Sequence, residues 1–214
     1  MAKKLEYPIS TDFLQTLIEA HAASLDLFAD LSAEGLDVEG VTDFFIGSLP
    51  TVRINKALAA DPLREVRLRT TLAHEFGHVH LHNALFQAKS ATLDLFADRP
   101  DDPHGNRRPA GKQKDLARCK RETIVGASKT DWMEWQAGYV CGALLMPRRP
   151  LRDHVHNHLR RANHLGQLVI GSSNGRAIVD EIAEKFFVSR DAARVRLLVI
   201  GLAVEKEIER SVFE

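Results

Sequence analysis

Length, composition and charge already limit what this chain can be. It has 214 residues, of which 44% are hydrophobic and 27% are charged, close to the averages of ordinary soluble domains. A chain of this size and composition buries a substantial core, which excludes a long multidomain assembly and disorder as the overall state. Its 29 basic and 29 acidic residues give a formal net charge of +0, so no global field draws it to nucleic acid or to an anionic membrane.

The first sixty residues predict one helix and then a small sheet. Apolar side chains recur at helical spacing over residues 12–31, and the polar residues 10–12 supply an N-cap. Residues 41–46 and 51–55 are rich in β-branched and aromatic side chains, and a Gly-Ser-Leu-Pro tetrapeptide separates them. These two runs therefore predict two strands joined by a turn.

The rest of the chain predicts four further helices and a long loop. A second helix begins at Pro62, because proline is favourable in a first helical turn. Residues 99–121 are rich in proline, glycine and charge, which is typical of an exposed loop. A helix follows over residues 131–146 and stops at Pro147. Residues 178–188 and 191–203 predict two short helices in a helix-turn-helix pattern.

The second predicted helix contains the sequence His-Glu-Phe-Gly-His at residues 74–78, an HExxH motif. Residues four apart lie on one face of an α-helix, so His74 and His78 can direct two imidazoles at one metal ion. Glu75 projects at an adjacent angle, where it can take a proton from a water molecule on that metal without being a ligand. The motif predicts two ligands and a general base. The alternative is an amphipathic helix with surface histidines.

A third metal ligand must come from outside the HExxH motif, because a catalytic zinc site uses three protein ligands and one open position. The metzincin pattern places a glycine and a third histidine where this chain has Leu81 and Ala84, which excludes that arrangement. A carboxylate on a later helix is the other solution. Glu134 is the best candidate, since it opens the apolar helix that ends before Pro147, and the next candidates are Glu122 and Asp131.

Three segments resemble the ImmA/IrrE-type metallo-endopeptidase family. The first is Thr-Leu-Ala-His-Glu-Phe-Gly-His-Val-His-Leu-His at residues 71–82, preceded by the strand that ends at Asn55. The second is Glu134, followed by Ala137 and by Leu-Leu-Met-Pro at residues 144–147. The third, over residues 182–197, is similar to the helical module that often follows the protease domain. Together they cover most of the chain after about residue 40.

The resemblance implies a role for each matching residue. His74, His78 and Glu134 would be the metal ligands, and Glu75 would be the general base. His82 matches the histidine that closes the extended motif, where it would support a ligand rather than bind the metal. The expected cofactor is a divalent metal, zinc (Zn2+) first and manganese (Mn2+) or iron as alternatives, because a His, His, Glu set accepts each of them.

Peptide-bond hydrolysis also needs a donor for the oxyanion, and the sequence offers four candidates without deciding between them. One is Tyr139, on the helix that carries Glu134, which is otherwise a core tyrosine. The others are His154, His156 and His158, which are otherwise surface histidines. His154 and His158 are also four residues apart, but no acidic or cysteine partner with supporting spacing follows them, so a second metal site is not expected.

A basic stretch over residues 107–121 lies in the predicted loop. It would dock nucleic acid or an acidic partner, or remain a solvated loop, which is the commoner outcome for a run of charge. Cys119 lies in this stretch, where basic neighbours favour the thiolate, so it is either a thiol that can reach the metal or a plain exposed thiol.

The expected fold class is α+β. Residues 1–147 would form a zincin-like metallopeptidase domain in which a small sheet packs on the HExxH helix, and residues 148–214 would form a helical module with a helix-turn-helix pattern. Neither a signal peptide nor a membrane-spanning run is legible, and two cysteines make no disulfide framework, so we expect a soluble cytoplasmic protein.

The expected function is a metal-dependent, gluzincin-like endopeptidase of narrow specificity. By resemblance, its substrate would be a helix-turn-helix transcriptional repressor, cut to release genes of a stress response or a mobile element. A neutral chain suits a protein partner better than DNA. The alternative is a catalytically degenerate zincin fold that acts as a DNA-binding or repressor-binding regulatory module.

Overall fold

A computed structural model describes the backbone of residues 7–35, 37–97, 114–120 and 132–205, and the side chains of all of these except 88–97 and 114–120. The described residues form helices and one small sheet, which confirms the α+β class. The chain divides into two compact units, one of Ser10–Cys141 and the other of Met1–Ile9 with Gly142–Glu214. No described helix is long and apolar enough to cross a bilayer.

The first predicted helix is correct at its start and wrong at its end. Helix α1 spans Thr11–Glu19 and is capped by Ser10, whose side chain accepts a hydrogen bond from the Phe13 N–H. Strand β1, Ser24–Ala29, occupies residues that the helical spacing had included. Its side chains alternate between exposed and more buried, the period of a strand, and Phe28 points outward with 75% of its surface exposed.

The two predicted strands are confirmed. Strands β2, Val38–Phe45, and β3, Ser48–Asn55, pair antiparallel around a tight turn. Gly47 adopts a φ of 77° in that turn, a left-handed conformation that other residues rarely take. Strand β1 pairs with β3 in parallel, so β3 lies inside the sheet.

Part of the predicted loop over residues 99–121 is a strand, which corrects that prediction. Strand β4, Lys114–Lys120, pairs antiparallel with β2, and Thr42 faces Ala117 in the register. The sheet formed by the described residues has the order β1-β3-β2-β4, which places β4 at an edge. Charged residues are usual in edge strands because they discourage pairing with other chains. The charge-rich composition of β4 is therefore easily mistaken for that of a loop.

The predicted second helix is confirmed. A short helix α2, Lys56–Ala59, and a 3-10 turn, Pro62–Arg64, lead into helix α3, Glu65–Ala97. The Asp61 side chain accepts a hydrogen bond from the Leu63 N–H, which caps the turn. Residues 71–79 are all buried, so this part of α3 is covered on every side and is the core of its unit.

The helix predicted over residues 131–146 is confirmed as α4, Trp132–Leu145. Three helices follow: α5, Arg148–Arg161; α6, Ser173–Phe186; and α7, Arg190–Val199. The last two are the predicted pair of short helices, and Phe187 in the left-handed region at a φ of 52° ends α6. Buried apolar side chains hold this unit together, among them Leu151, Ile178, Ile182, Phe186 and Leu197.

Candidate metal centre

Helix α3 presents two buried histidines from successive turns. His74 and His78 are both 0% exposed, and their ring centroids lie 4.9 Å apart in an edge-to-face arrangement. Their Nε2 atoms lie 3.1 Å from each other. Two bare imidazole nitrogens at this distance repel each other unless a cation or a shared proton lies between them. The local spacing of the motif therefore creates a convergent pair of donor atoms inside the core.

Glu134 of α4 completes the cluster. Its Oε2 lies 3.0 Å from the His74 Nε2, and its Oε1 lies 3.2 Å from the His78 Nε2. The three residues are buried and form the one group in the described part of the chain whose donor atoms suit a metal ion. Zinc bonds of 2.0–2.1 Å on a tetrahedron separate neighbouring donors by about 3.3 to 3.4 Å, close to the distances here. The donor set fits such an ion.

The residue Gly77 lets α4 approach closely enough for Glu134 to reach the histidines. A Cβ atom built on Gly77 would lie 2.8 Å from the Ala137 Cα and 2.9 Å from the Ala137 carbonyl oxygen. These are backbone atoms, so no side-chain rotation could relieve the overlap. A second contact between the helices comes from Cys141, whose thiol lies 3.5 Å from the Thr70 carbonyl oxygen. The glycine inside the motif thus sets the distance between the two helices.

The histidines keep Glu134 ionised despite its burial. Burial raises the pKa of this carboxyl group, but hydrogen bonding and charge interactions with His74 and His78 together lower it by more, and the pKa of Glu134 falls to about 2. An ionised carboxylate is the form that binds a metal. The cluster therefore presents its third donor in the correct protonation state near neutral pH.

Glu75, next to His74 on α3, is held against strand β2. Its side chain is 0% exposed, and its Oε2 accepts a hydrogen bond of 2.5 Å from the Thr42 hydroxyl. A Cβ atom on Gly40 would lie 2.5 Å from the Glu75 Oε1 and 2.9 Å from the Thr71 Cγ2, so the carboxylate lies in the space that a side chain at this position would need. The sheet therefore positions this carboxylate through two residues that sequence reasoning did not select.

His82, one turn beyond His78, binds that histidine. The two Nδ1 atoms lie 3.0 Å apart, and the His82 Nε2 lies 3.2 Å from the Gln136 Oε1. His82 is 0% exposed, and Trp132 packs edge-on against its ring with centroids 5.6 Å apart. Sequence reasoning selected His82 and missed Gln136, which stands two residues after Glu134. The signal that could have found it is the polar side chain in an otherwise apolar helix.

Three of the candidate oxyanion donors, Tyr139, His154 and His158, contact side chains outside the cluster. Tyr139 is 46% exposed and stacks on Trp135 with centroids 5.7 Å apart, so it is a surface residue rather than a core tyrosine. His154 and His158 both bind Glu181, with nitrogen to oxygen distances of 3.1 Å and 2.8 Å. Glu181 on α6 is therefore an acidic partner for these histidines. The donor atoms of His154, His158 and Glu181 do not converge as those of His74, His78 and Glu134 do. The Lys185 ammonium group also lies 3.3 Å from the His154 Nδ1.

Several predicted residues fall outside the described part of the chain. Glu122 and Asp131, the other candidate ligands, lie there, as does most of the basic stretch over residues 107–121. Cys119 belongs to strand β4, where the backbone is described and the side chain is not.

Comparison of the chain with protein-family profiles gives no match, and comparison with curated proteins gives none either. The candidate function therefore rests on the geometry of the site.

Proposed function

We propose that this chain is a metal-dependent endopeptidase of narrow specificity with a zincin-like fold. The observation that carries the proposal is the buried convergence of the His74, His78 and Glu134 donor atoms at 3.0 to 3.2 Å, with Glu75 on the same helix. Two histidines and a carboxylate are the ligand set of a gluzincin-type hydrolase. A purely structural core would not favour three polar side chains at this depth, since each must lose its hydration.

The three ligands would hold a zinc ion, or a manganese ion as the alternative. Such an ion, when bound, polarises the scissile carbonyl group and lowers the pKa of water. Glu134 contributes a full negative charge to the ligand set because its pKa is low. The two histidines contribute neutral donors, so the set as a whole carries one negative charge toward a divalent cation.

Glu75 would act as the general base. Its carboxylate takes a proton from the water that attacks the carbonyl carbon, and it then delivers this proton to the nitrogen of the leaving amine as the C–N bond breaks. The hydrogen bond from Thr42 restrains one oxygen of the carboxylate. The side chain is therefore already oriented before the reaction and loses less conformational freedom in reaching the transition state.

The proposed substrate is a protein, and by the resemblance stated above it is a helix-turn-helix transcriptional repressor whose cleavage releases genes of a stress response or a mobile element. The formal net charge of +0 supports a protein partner over DNA. Two arginines of α7 form ion pairs within their own unit, Arg190 with Asp180 and Arg194 with Glu205, so both already have acidic partners.

The alternative is a regulatory binding module with no hydrolytic activity. The observation that favours it is the short connection between α6 and α7, which is typical of helix-turn-helix motifs. This alternative predicts that substitution of Glu75 leaves the regulatory effect intact, whereas the endopeptidase requires that residue.

Terminal labelling of a proteome extract tests the proposal. Native and denatured extracts are incubated with the zinc-loaded protein or with zinc-loaded Glu75→Gln, and new peptide termini are identified by mass spectrometry. We expect termini with a common flanking sequence for the wild type and a rate at least about 100-fold lower for the variant, with the metal retained. Equal cleavage by both proteins, or none by the metal-loaded wild type in either extract, would contradict the proposal.

A further inference from the structure

A chain of hydrogen bonds leads away from one candidate ligand and ends on α4. The His78 Nδ1 meets the His82 Nδ1 at 3.0 Å, and the His82 Nε2 meets the Gln136 Oε1 at 3.2 Å. Both histidines are 0% exposed and Gln136 is half-buried. At these distances each contact is a hydrogen bond when one atom carries a proton and the other offers a lone pair, so each contact has a direction.

We propose that His82 and Gln136 are positioning residues that orient His78 for metal binding, an inference that rests on the metal site of the proposed function. A histidine that gives its Nε2 to a metal carries its proton on Nδ1. His78 then donates from Nδ1, and His82 accepts at its own Nδ1.

The amide of Gln136 determines the direction of the whole chain. Because the His82 Nδ1 is an acceptor, its proton is on Nε2, and the Gln136 Oε1 accepts that proton in a hydrogen bond. The opposite direction would require the NH2 group of Gln136, in place of its Oε1, to face the His82 Nε2, and it would leave a proton on the His78 Nε2. That proton would occupy the place of the metal. The carbonyl oxygen of the amide thus selects the binding-competent tautomer of a ligand two side chains away.

Helix α4 therefore contributes two residues to the site, two positions apart. Glu134 supplies a donor atom, and Gln136 orients the donor of another residue across the helix interface. Partners of this kind fix the ring orientation of metal-binding histidines, and their loss typically weakens metal affinity about 10-fold to 100-fold.

Metal affinity tests this inference without any peptide substrate. The wild type, Gln136→Met and Gln136→Glu are each prepared free of metal. The dissociation constant of zinc from each protein is then measured by competition with a chromophoric chelator. We expect Gln136→Met to bind zinc about 10-fold to 100-fold more weakly, since methionine fills similar space and offers no strong acceptor. Gln136→Glu retains an acceptor, so it should bind zinc as tightly as the wild type or more tightly.

The matched control is Gln87→Met. Gln87 lies on α3, and its side-chain amide donates to the Ser48 carbonyl oxygen at 2.6 Å, so this variant also loses an amide hydrogen bond in the same unit. It should bind zinc as the wild type does. Thermal unfolding of each metal-free variant shows whether the fold is preserved.

A double-mutant cycle and a spectrum complete the test. Once His82→Phe has broken the chain, adding Gln136→Met should cost no further affinity, because the two residues act in series. Nitrogen-15 spectra of the imidazoles in the zinc-loaded wild type should show a proton on the His82 Nε2 and on the His78 Nδ1. The inference would be overturned if Gln136→Met bound zinc as tightly as the wild type, or if Gln87→Met or Gln136→Glu bound zinc as weakly as Gln136→Met. It would also be overturned if the losses in the cycle were additive, or if the proton of His82 were on Nδ1. A wild type that binds no zinc would overturn it as well. Failure to cleave any peptide would overturn the proposed function and leave this result standing.

Discussion

Two buried carboxylates of one unit meet different partners, and their surroundings separate their roles. Glu134 contacts two imidazoles, which hold its pKa at about 2 and keep it ready to bind a cation. Glu75 instead accepts a hydrogen bond from the Thr42 hydroxyl and lies against Gly40 of β2. The same residue type therefore serves as ligand in one place and as candidate base in the other, according to what packs around it.

Substitution of Gly40 tests whether the sheet positions Glu75. Gly40→Ala places a methyl group 2.5 Å from the Glu75 Oε1, so the carboxylate or the strand must shift. We expect a loss of about 1 to 3 kcal/mol in the free energy of unfolding, as for overpacked cores, together with reduced hydrolysis and retained zinc. Urea denaturation, metal analysis and cleavage assays provide the measurements.

The control for Gly40 is Gly171→Ala, where an added Cβ meets nothing within 4 Å. That variant should match the wild type in stability within about 0.5 kcal/mol. Equal stability and equal activity in Gly40→Ala would show that Glu75 does not depend on the close approach of β2.

At the scale of elements, the candidate centre depends on how closely two helices approach. Helix α3 supplies two donors from successive turns, and α4 supplies the third because Gly77 has no Cβ atom, which would lie only 2.8 Å from the Ala137 Cα. Local sequence decides the first pair of donors, and helix packing decides the third.

Gly77→Ala tests this dependence. Alanine is about 1 kcal/mol more favourable than glycine inside a helix, so an effect of propensity alone would stabilise the protein. Because the new methyl group meets backbone atoms, we expect the opposite: a loss of about 1 to 3 kcal/mol in the free energy of unfolding, and weaker zinc binding as Glu134 withdraws. Calorimetry and chelator competition measure the two effects. A stabilised variant with wild-type zinc affinity would contradict the packing account.

Identical sequence in two elements explains why part of the fold was not predictable. The hexapeptide Leu-Asp-Leu-Phe-Ala-Asp begins at Leu25 in strand β1 and at Leu93 near the end of helix α3. The spacing of its apolar residues is compatible with both an α-helix and a β-strand, so the neighbouring elements determine which of the two forms. Pairing with β3 selects the strand in the first copy. Strand β4 was missed for a related reason, since edge strands with many charges resemble loops.

At the scale of the whole molecule, the unit that contains α5 and α6 has its own polar cluster. His154, His158 and Arg161 of α5 converge on Glu181 of α6, whose side chain is 38% exposed. Burial raises the pKa of Glu181, but the hydrogen bond with His158 and the nearby positive charges lower it by more, so its pKa lies below the ordinary value of 4.5. The cluster joins the two helices through one carboxylate.

Substitution of Glu181 should therefore act on stability in a pH-dependent manner. A carboxyl whose pKa is lowered by folding stabilises the protein above its unfolded pKa, and this contribution is lost as the pH falls through the folded value. Glu181→Gln should lower the free energy of unfolding by up to about 1 kcal/mol at pH 7, because solvent screens so exposed a cluster. The difference in the free energy of unfolding between the wild type and Glu181→Gln should become smaller below about pH 4.5.

Urea denaturation between pH 7 and pH 4 measures this deficit, and Glu184→Gln, an exposed position on the same helix, is the control that should show none. A deficit that persists unchanged at pH 4, or one that the control shares, would argue against the ion-pair explanation.

The candidate site itself was predictable in part. His74 and His78 follow from the four-residue period of a helix, and Glu134 was selected because it opens an apolar helix. The structure brings these three together. Thr42 and Gly40 were not predictable, because each is defined by a contact with Glu75, more than thirty positions away. Such contacts leave no periodic signal in the sequence.

Metal stoichiometry tests the central claim most directly. The untagged protein is purified without chelators, reconstituted with zinc or manganese, and compared with Glu134→Ala by elemental analysis. We expect about one metal ion per chain in the wild type and loss of that ion in the variant, whose cluster retains only two of its three donors. A wild type that holds no metal after reconstitution, or a variant that keeps it in full, would contradict the account.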